Sequence, residues 1–126
     1  MDISTSADVR LLIDQFYNKV RADEMLGYIF DEVAQVDWPH HLPTMYRFWE
    51  FMLLNTPDAY RGNPIQKHMD LHRKHPLKAG HFDRWLALFH STVDEHFQGP
   101  KADEAKFRAF AISETWKPKF DGPFAS

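Results

Sequence analysis

The chain has no cysteine. That excludes disulfides, thiolate metal ligation, cysteine-rich zinc sites, iron–sulfur clusters on thiolates and the C-x-x-C-H attachment of c-type haem. A reducing compartment is compatible with this, and a cytoplasmic location is expected. Positive charge is not in excess: 15 Lys and Arg face 18 Asp and Glu, a net charge of −3 with histidine neutral. Such a balance offers no general attraction for nucleic acid phosphates or anionic lipid. No apolar stretch approaches the length of a membrane span, and residues 1–8 lack the basic and apolar regions of a signal peptide. Neither nucleic acid nor a membrane is therefore an expected partner. Internal repeats, low-complexity segments and a convincing strand pattern are also missing.

What is present is apolar and aromatic. The 126 residues are 44% hydrophobic and 15% aromatic, with 11 Phe and 4 Trp. That length suits one domain over 1–126, with a core spanning about 7–117 and a frayed tail at 119–126. It can bury a core without a disulfide or structural metal. Aromatics in this proportion either fill that core or line a ligand cleft.

Five amphipathic helices can be read from the spacing of apolar residues. The first runs from about Ala7 to Ala22 with Ser6 as N-cap, and Val9, Leu12, Ile13, Phe16, Tyr17 and Val20 share its face. Tyr17 is on that buried face, so its hydroxyl needs a partner inside the fold. A turn or single helical turn over 25–30 packs Phe30 inward. The second helix lies within 38–54. Pro43 places its proper start near Leu42, which leaves His41 at a distorted beginning between two prolines. Met45, Phe48, Trp49, Met52 and Leu53 form its apolar face. The fourth helix runs from about His81 to Phe97 and carries Trp85 beside Phe82, Leu86, Phe89 and Val93. The fifth follows Pro100 and stops near Trp116 ahead of Pro118. Its face of Ala105, Ala109, Ile112 and Trp116, widened by Phe107, Phe110 and Ala111, predicts burial on more than one side.

The third helix carries the most informative residue. Asn63 is a good N-cap and Pro64 a good first helical residue. Ile65, His68, Met69 and His72 then recur at helical spacing, which sets an imidazole in an apolar stripe. A buried neutral imidazole needs a partner for its lone pair. Iron is one, and a backbone group is the ordinary one. His68 and His72 also have the spacing of a zinc pair, with His75 or His81 as a third ligand. The metalloprotease motif is absent, however, because no Glu directly follows His68. The cluster Asp94, Glu95, Lys101, Asp103, Glu104 and Lys106 reads as a solvated face.

Several blocks occur in a fixed order: Phe16-Tyr17-x-Lys19-Val20, Leu26-Gly27-x-Ile29-Phe30, Trp38-Pro39-x-His41-Leu42-Pro43, Phe48-Trp49, Tyr60-x-Gly62-x-Pro64-x-x-x-His68, and His81-Phe82-Asp83-Arg84-Trp85-Leu86-x-Leu88-Phe89. The ordered set resembles the truncated haemoglobins, specifically group III, the bacterial branch, from about Ala7 to Trp116. The resemblance implies an all-α, globin-like fold, a two-over-two helical sandwich around non-covalent haem b. It matches His68 to the proximal iron ligand, and Tyr17, His41 and Trp85 to the distal residues that stabilise a ligand. Phe30 matches the residue packed on the haem face, Met45 an apolar residue over the iron, and Phe48 and Trp49 the aromatic pair beside the haem. Leu71 and His72 fall near the haem edge.

Three functions follow as expectations. A haem protein of this kind reversibly binds O2, NO or CO, since an axial imidazole leaves the sixth iron position open. The same iron can instead serve an enzyme for nitric oxide dioxygenation, nitrite reduction or peroxidase-like turnover. That enzyme would need an external reductase, because the chain has no flavin or nicotinamide fingerprint. Without haem, Tyr17 and Trp85 are ordinary core aromatics, His41 a histidine in a proline-bounded turn, and the chain a helical interaction domain. A monomer is expected.

Overall fold

The N-terminal end of the first helix is fixed by a reciprocal pair. The Thr5 hydroxyl accepts from the Asp8 backbone N–H, and the Asp8 carboxylate accepts from the N–H groups of Thr5 and Ser4. This capping box makes Thr5, not Ser6, the N-cap of α1, Ser6–Ala22. The computed structural model describes residues 1–33, 35–54 and 79–121, with the side chains of all of these except 33, 79 and 116–121. The expected helix over 63–75, with His68, Leu71 and His72, lies outside the described residues.

Asp23 ends α1 and caps α2, Glu24–Gly27, by accepting from the Leu26 N–H at 3.0 Å. The corner is tight. A Cβ on Gly27 would stand 2.5 Å from the Arg21 carbonyl oxygen, so only glycine lets α2 close onto the end of α1. In place of the single expected turn, α2 continues into a π-helical segment, π1, Tyr28–Val33.

Helix α3, Trp38–Leu54, passes through Pro43 without a break. The sequence led us to expect a start near Leu42. Instead the Asp37 carbonyl accepts from both His40 and His41 N–H, at 3.0 and 2.8 Å. The first turn is thus closed before Pro43, whose missing donor costs one bond only. The remaining helices are α4, Ala79–His96, and α5, Pro100–Asp121. The backbone of α5 likewise runs past Pro118, so the tail expected from residue 119 is helical as far as Asp121.

Helix α1 lies against both α3 and α4, and α5 packs along α4. Among the described residues there is no strand. Phe89 of α4 is the hub. It is fully buried, edge-on to Phe16 of α1 at 5.2 Å, and stacked on Trp49 of α3 at 4.8 Å and on Trp85 at 5.8 Å. A polar seam joins α1 to α3: the Tyr46 hydroxyl donates to Asp14, the Arg10 guanidinium lies 5.6 Å from the Tyr46 ring centre, and Arg10 faces Glu50. Burial, then the neighbouring Asp14, pushes the Tyr46 phenol up to about 12.

Helix α5 buries Ala102, Ala105, Ala109 and Ser113 but exposes Phe107 and Phe110. Burial on more than one side, expected from its breadth of apolar residues, is therefore not found. Small residues face α4 so that two backbones can approach, and the larger aromatics point away. The Asp94–Lys106 pair at 2.8 Å and the Glu95–Lys19 pair at 2.7 Å lie at the surface, as expected of that charge cluster.

Asp2 caps α5 from a distance in sequence. Its carboxylate accepts from the backbone N–H groups of Lys101 and Ala102 at 3.0 and 2.9 Å. Burial raises its pKa, but these donors and the Ile3 N–H outweigh that and leave it below the usual carboxylate value. A depressed folded pKa means that the stabilisation is present above the unfolded value and is lost as pH falls through the folded one. Asp2→Ala should lose about 1 kcal/mol of stability at neutral pH by chemical denaturation. The difference from the unsubstituted protein should shrink at acid pH, below about 4.

Candidate functional site

Helix α1 presents Tyr17 one residue after Phe16 and four after Ile13, on the face it turns to the core. Both neighbours are fully buried, and Tyr17 itself is 6% exposed. Its ring lies 5.3 Å from His41, 5.3 Å from Trp38 and 6.1 Å from Phe30. Three elements thus meet at one phenol: α1, the π-helical segment and the first turn of α3. His41 stands edge-on to both Tyr17 and Trp38, and its Nε2 is buried. The unbroken start of α3 puts His41 three residues after Trp38, on the same helical face.

Burial pushes the Tyr17 phenol well above its ordinary value. The hydroxyl therefore keeps its proton across the working pH range and is available as a donor. No hydrogen bond joins it to any described residue. A buried phenol ordinarily finds an acceptor, so this one is suited to an acceptor outside the described residues.

Trp85 reaches the same region through Phe16, which lies 4.9 Å from Tyr17 and 5.8 Å from Trp85. Trp85 is partly buried, and its indole N–H also makes no hydrogen bond to a described residue. Next to it, Arg84 donates to Asp23 at 2.7 Å and ties the start of α4 to the corner after α1. Asp23 is raised by burial and lowered further by the Leu26 N–H and Arg84, so it remains a charged anchor. Met45 is partly buried against the core, and Phe48 stacks on Trp49 at 5.5 Å. Trp49 is nearly enclosed, with its faces toward Phe48 and Phe89.

The structure accordingly brings Tyr17, Phe30 and His41 together and sets Trp85 one ring away, while Met45, Phe48 and Trp49 extend the aromatic surface along α3. His68, Leu71 and His72 lie outside the described residues. Trp38 was not singled out in the sequence as a site residue. Its signal was slight: an aromatic three positions before His41, at the start of a helix. Among the described residues no group of His, Asp and Glu is arranged to hold a metal, and no helix is long and apolar enough to cross a membrane.

Comparison with known proteins gives this arrangement a family. A family model described as bacterial-like globin matches residues 2–116. The group 3 truncated hemoglobin of Campylobacter jejuni is 37% identical over 86 residues, which cover 66% of this chain and 65% of that protein's length. The crystal structure of the group III truncated hemoglobin from Campylobacter jejuni aligns with a TM-score of 0.82 and 29% identity, covering 97% of each chain. The chain belongs to the bacterial-like globin family, in the group III truncated haemoglobin branch.

Proposed function

We propose that this globin binds haem b non-covalently as a single domain and takes up O2, NO or CO reversibly at the iron. The observation that carries the proposal is the hydroxyl of the buried Tyr17, a protonated donor with no acceptor among the described residues, beside His41. The residues fit the group that the family implies. Bound haem would supply an iron that takes a diatomic ligand. His68 would hold that iron, with Leu71 and His72 near the haem edge. Phe30, Met45, Phe48 and Trp49 would provide apolar walls, and Tyr17, His41 and Trp85 the distal polar groups.

What the chain's own residues do is donate and exclude. Tyr17 offers one hydrogen bond from a site that burial keeps protonated, and the Trp85 indole can offer a second. The aromatic ring of Tyr17, Phe30 and Trp38 keeps water from competing for those donors. A high phenol pKa makes Tyr17 a poor proton source, so catalytic turnover at the same site would draw protons through His41. Such turnover would also require an external reductase. Ligand binding needs neither, and we favour it. The protein is read as a cytoplasmic monomer.

Titration of the purified protein with haemin tests the proposal. A Soret band that saturates at one haem per chain is expected. A featureless titration, with only the spectrum of free haemin, would leave a cofactor-free helical interaction domain.

A further inference from the structure

We propose that Arg21, Asp31 and Trp38 form a latch that sets the positions of Tyr17 and His41, so that this three-residue contact governs how tightly the distal pocket holds its ligand. This rests on the proposed role of Tyr17 as ligand donor. The Trp38 indole N–H donates to Asp31 Oδ1 at 2.8 Å. The same oxygen faces Arg21 Nε at 3.4 Å, and the Arg21 guanidinium lies over the Trp38 ring at 4.8 Å. Each member therefore touches the other two, and each comes from a different element: α1, π1 and α3.

The placement of the latch is what ties it to the site. Arg21 is four residues after Tyr17, so both lie on one face of α1, one turn apart. The Trp38 indole is in contact with both, 5.3 Å from the Tyr17 ring and under the Arg21 guanidinium. His41 is on the same face of α3 as Trp38 and 5.5 Å from it. Asp31 is next to Phe30, whose ring is 6.0 Å from Trp38. Fixing one indole thus fixes the distance between the start of α3 and the middle of α1, where the two distal groups face each other. The chain before Trp38 contributes to the bend: Gln35 is left-handed at φ 51°, and the Val36 N–H returns to the Phe30 carbonyl.

The three act as positioning residues, bearing on the site through the Trp38 contacts with Tyr17 and His41. Trp38→Phe keeps an aromatic ring but loses the N–H, and Asp31→Asn keeps the shape but loses the charge that Arg21 faces. The test compares the C–O stretching band of the ferrous CO form in both variants with wild type and with Tyr17→Phe. Both latch variants should show a band moved to higher wavenumber, in the direction of Tyr17→Phe, because a displaced phenol withdraws its positive proton from the ligand. In the same samples, with tyrosine ring carbons labelled for NMR, the Tyr17 signal should shift in Asp31→Asn. The Tyr46 signal, from the seam between α1 and α3, should stay in place, which a general loss of structure would not allow. If Tyr17→Phe moves the band and both latch variants keep the wild-type position, the latch is refuted. If Tyr17→Phe leaves the band unmoved, it is the ligand-donor role of Tyr17 that fails. The ring signals then decide the latch: an unmoved Tyr17 signal in Asp31→Asn overturns it.

Discussion

Tyr17→Phe is expected to release oxygen roughly ten- to a hundredfold faster than the unsubstituted protein. The substitution removes one oxygen atom and leaves a ring of the same outline among Phe16, Phe30, Trp38 and His41, so packing is nearly conserved. What is lost is the single donor. A hydrogen bond to a partly charged acceptor contributes about 1–3 kcal/mol. Each ~1.4 kcal/mol is a factor of ten, and such differences are expressed mainly in the dissociation rate. The burial of Tyr17, 6% exposed, places the effect toward the upper end. Stopped-flow displacement of oxygen by carbon monoxide measures the rate directly. Trp85→Phe should act in the same direction and more weakly, because its indole is only partly buried. Equal dissociation rates for Tyr17→Phe, Trp85→Phe and the parent protein would remove the distal donors from the account.

The second large effect concerns the core that holds the pocket in shape. Phe89→Ala should destabilise the fold by about 3–5 kcal/mol, the usual cost of truncating a fully buried phenylalanine. The removed ring touches α1 through Phe16 and α3 through Trp49, and it backs Trp85 on its own helix. A void there is bordered by three large rigid rings that cannot all move inward, so little of the lost contact is recovered. The melting temperature should fall by roughly 10–20 °C for a chain of this size. Oxygen dissociation should also quicken in this variant, since Trp85 loses the ring on which it stacks. A drop below about 1 kcal/mol in chemical denaturation would show that the neighbours collapse freely and that Phe89 is not the hub.

Much of this architecture was legible in the residues. The buried face of α1 was read correctly at all six positions, because apolar side chains at helical spacing state both the element and its inward side. Tyr17 stood out within that face as the one member with a hydroxyl to satisfy. Phe107 and Phe110 misled for a related reason: periodicity reports which residues are apolar, and in α5 the alanines, not the phenylalanines, face α4. Pro43 was expected to hold the start of its helix back to near Leu42 and Pro118 to end the last helix, yet a proline removes only one donor and a helix continues where the adjoining turns are otherwise closed. The link from Trp38 to Asp31 and Arg21 could not be read at all. It joins three elements through one carboxylate oxygen, and no spacing along the chain encodes such a meeting. For His68 the situation is different again. Its helical stripe offered either iron or a backbone bond, and the ordered blocks shared with the group III branch favoured iron.

That imidazole is where the account is most exposed. Resonance Raman spectroscopy of the ferrous deoxy protein, compared with His68→Gly supplemented with imidazole, addresses it most directly. The unsubstituted protein should show an iron–histidine stretching band. In His68→Gly the band should disappear with most of the haem, and added imidazole should restore a shifted band as a free ligand fills the gap. An unchanged iron–histidine band in His68→Gly would contradict the account, because some other histidine would then hold the iron.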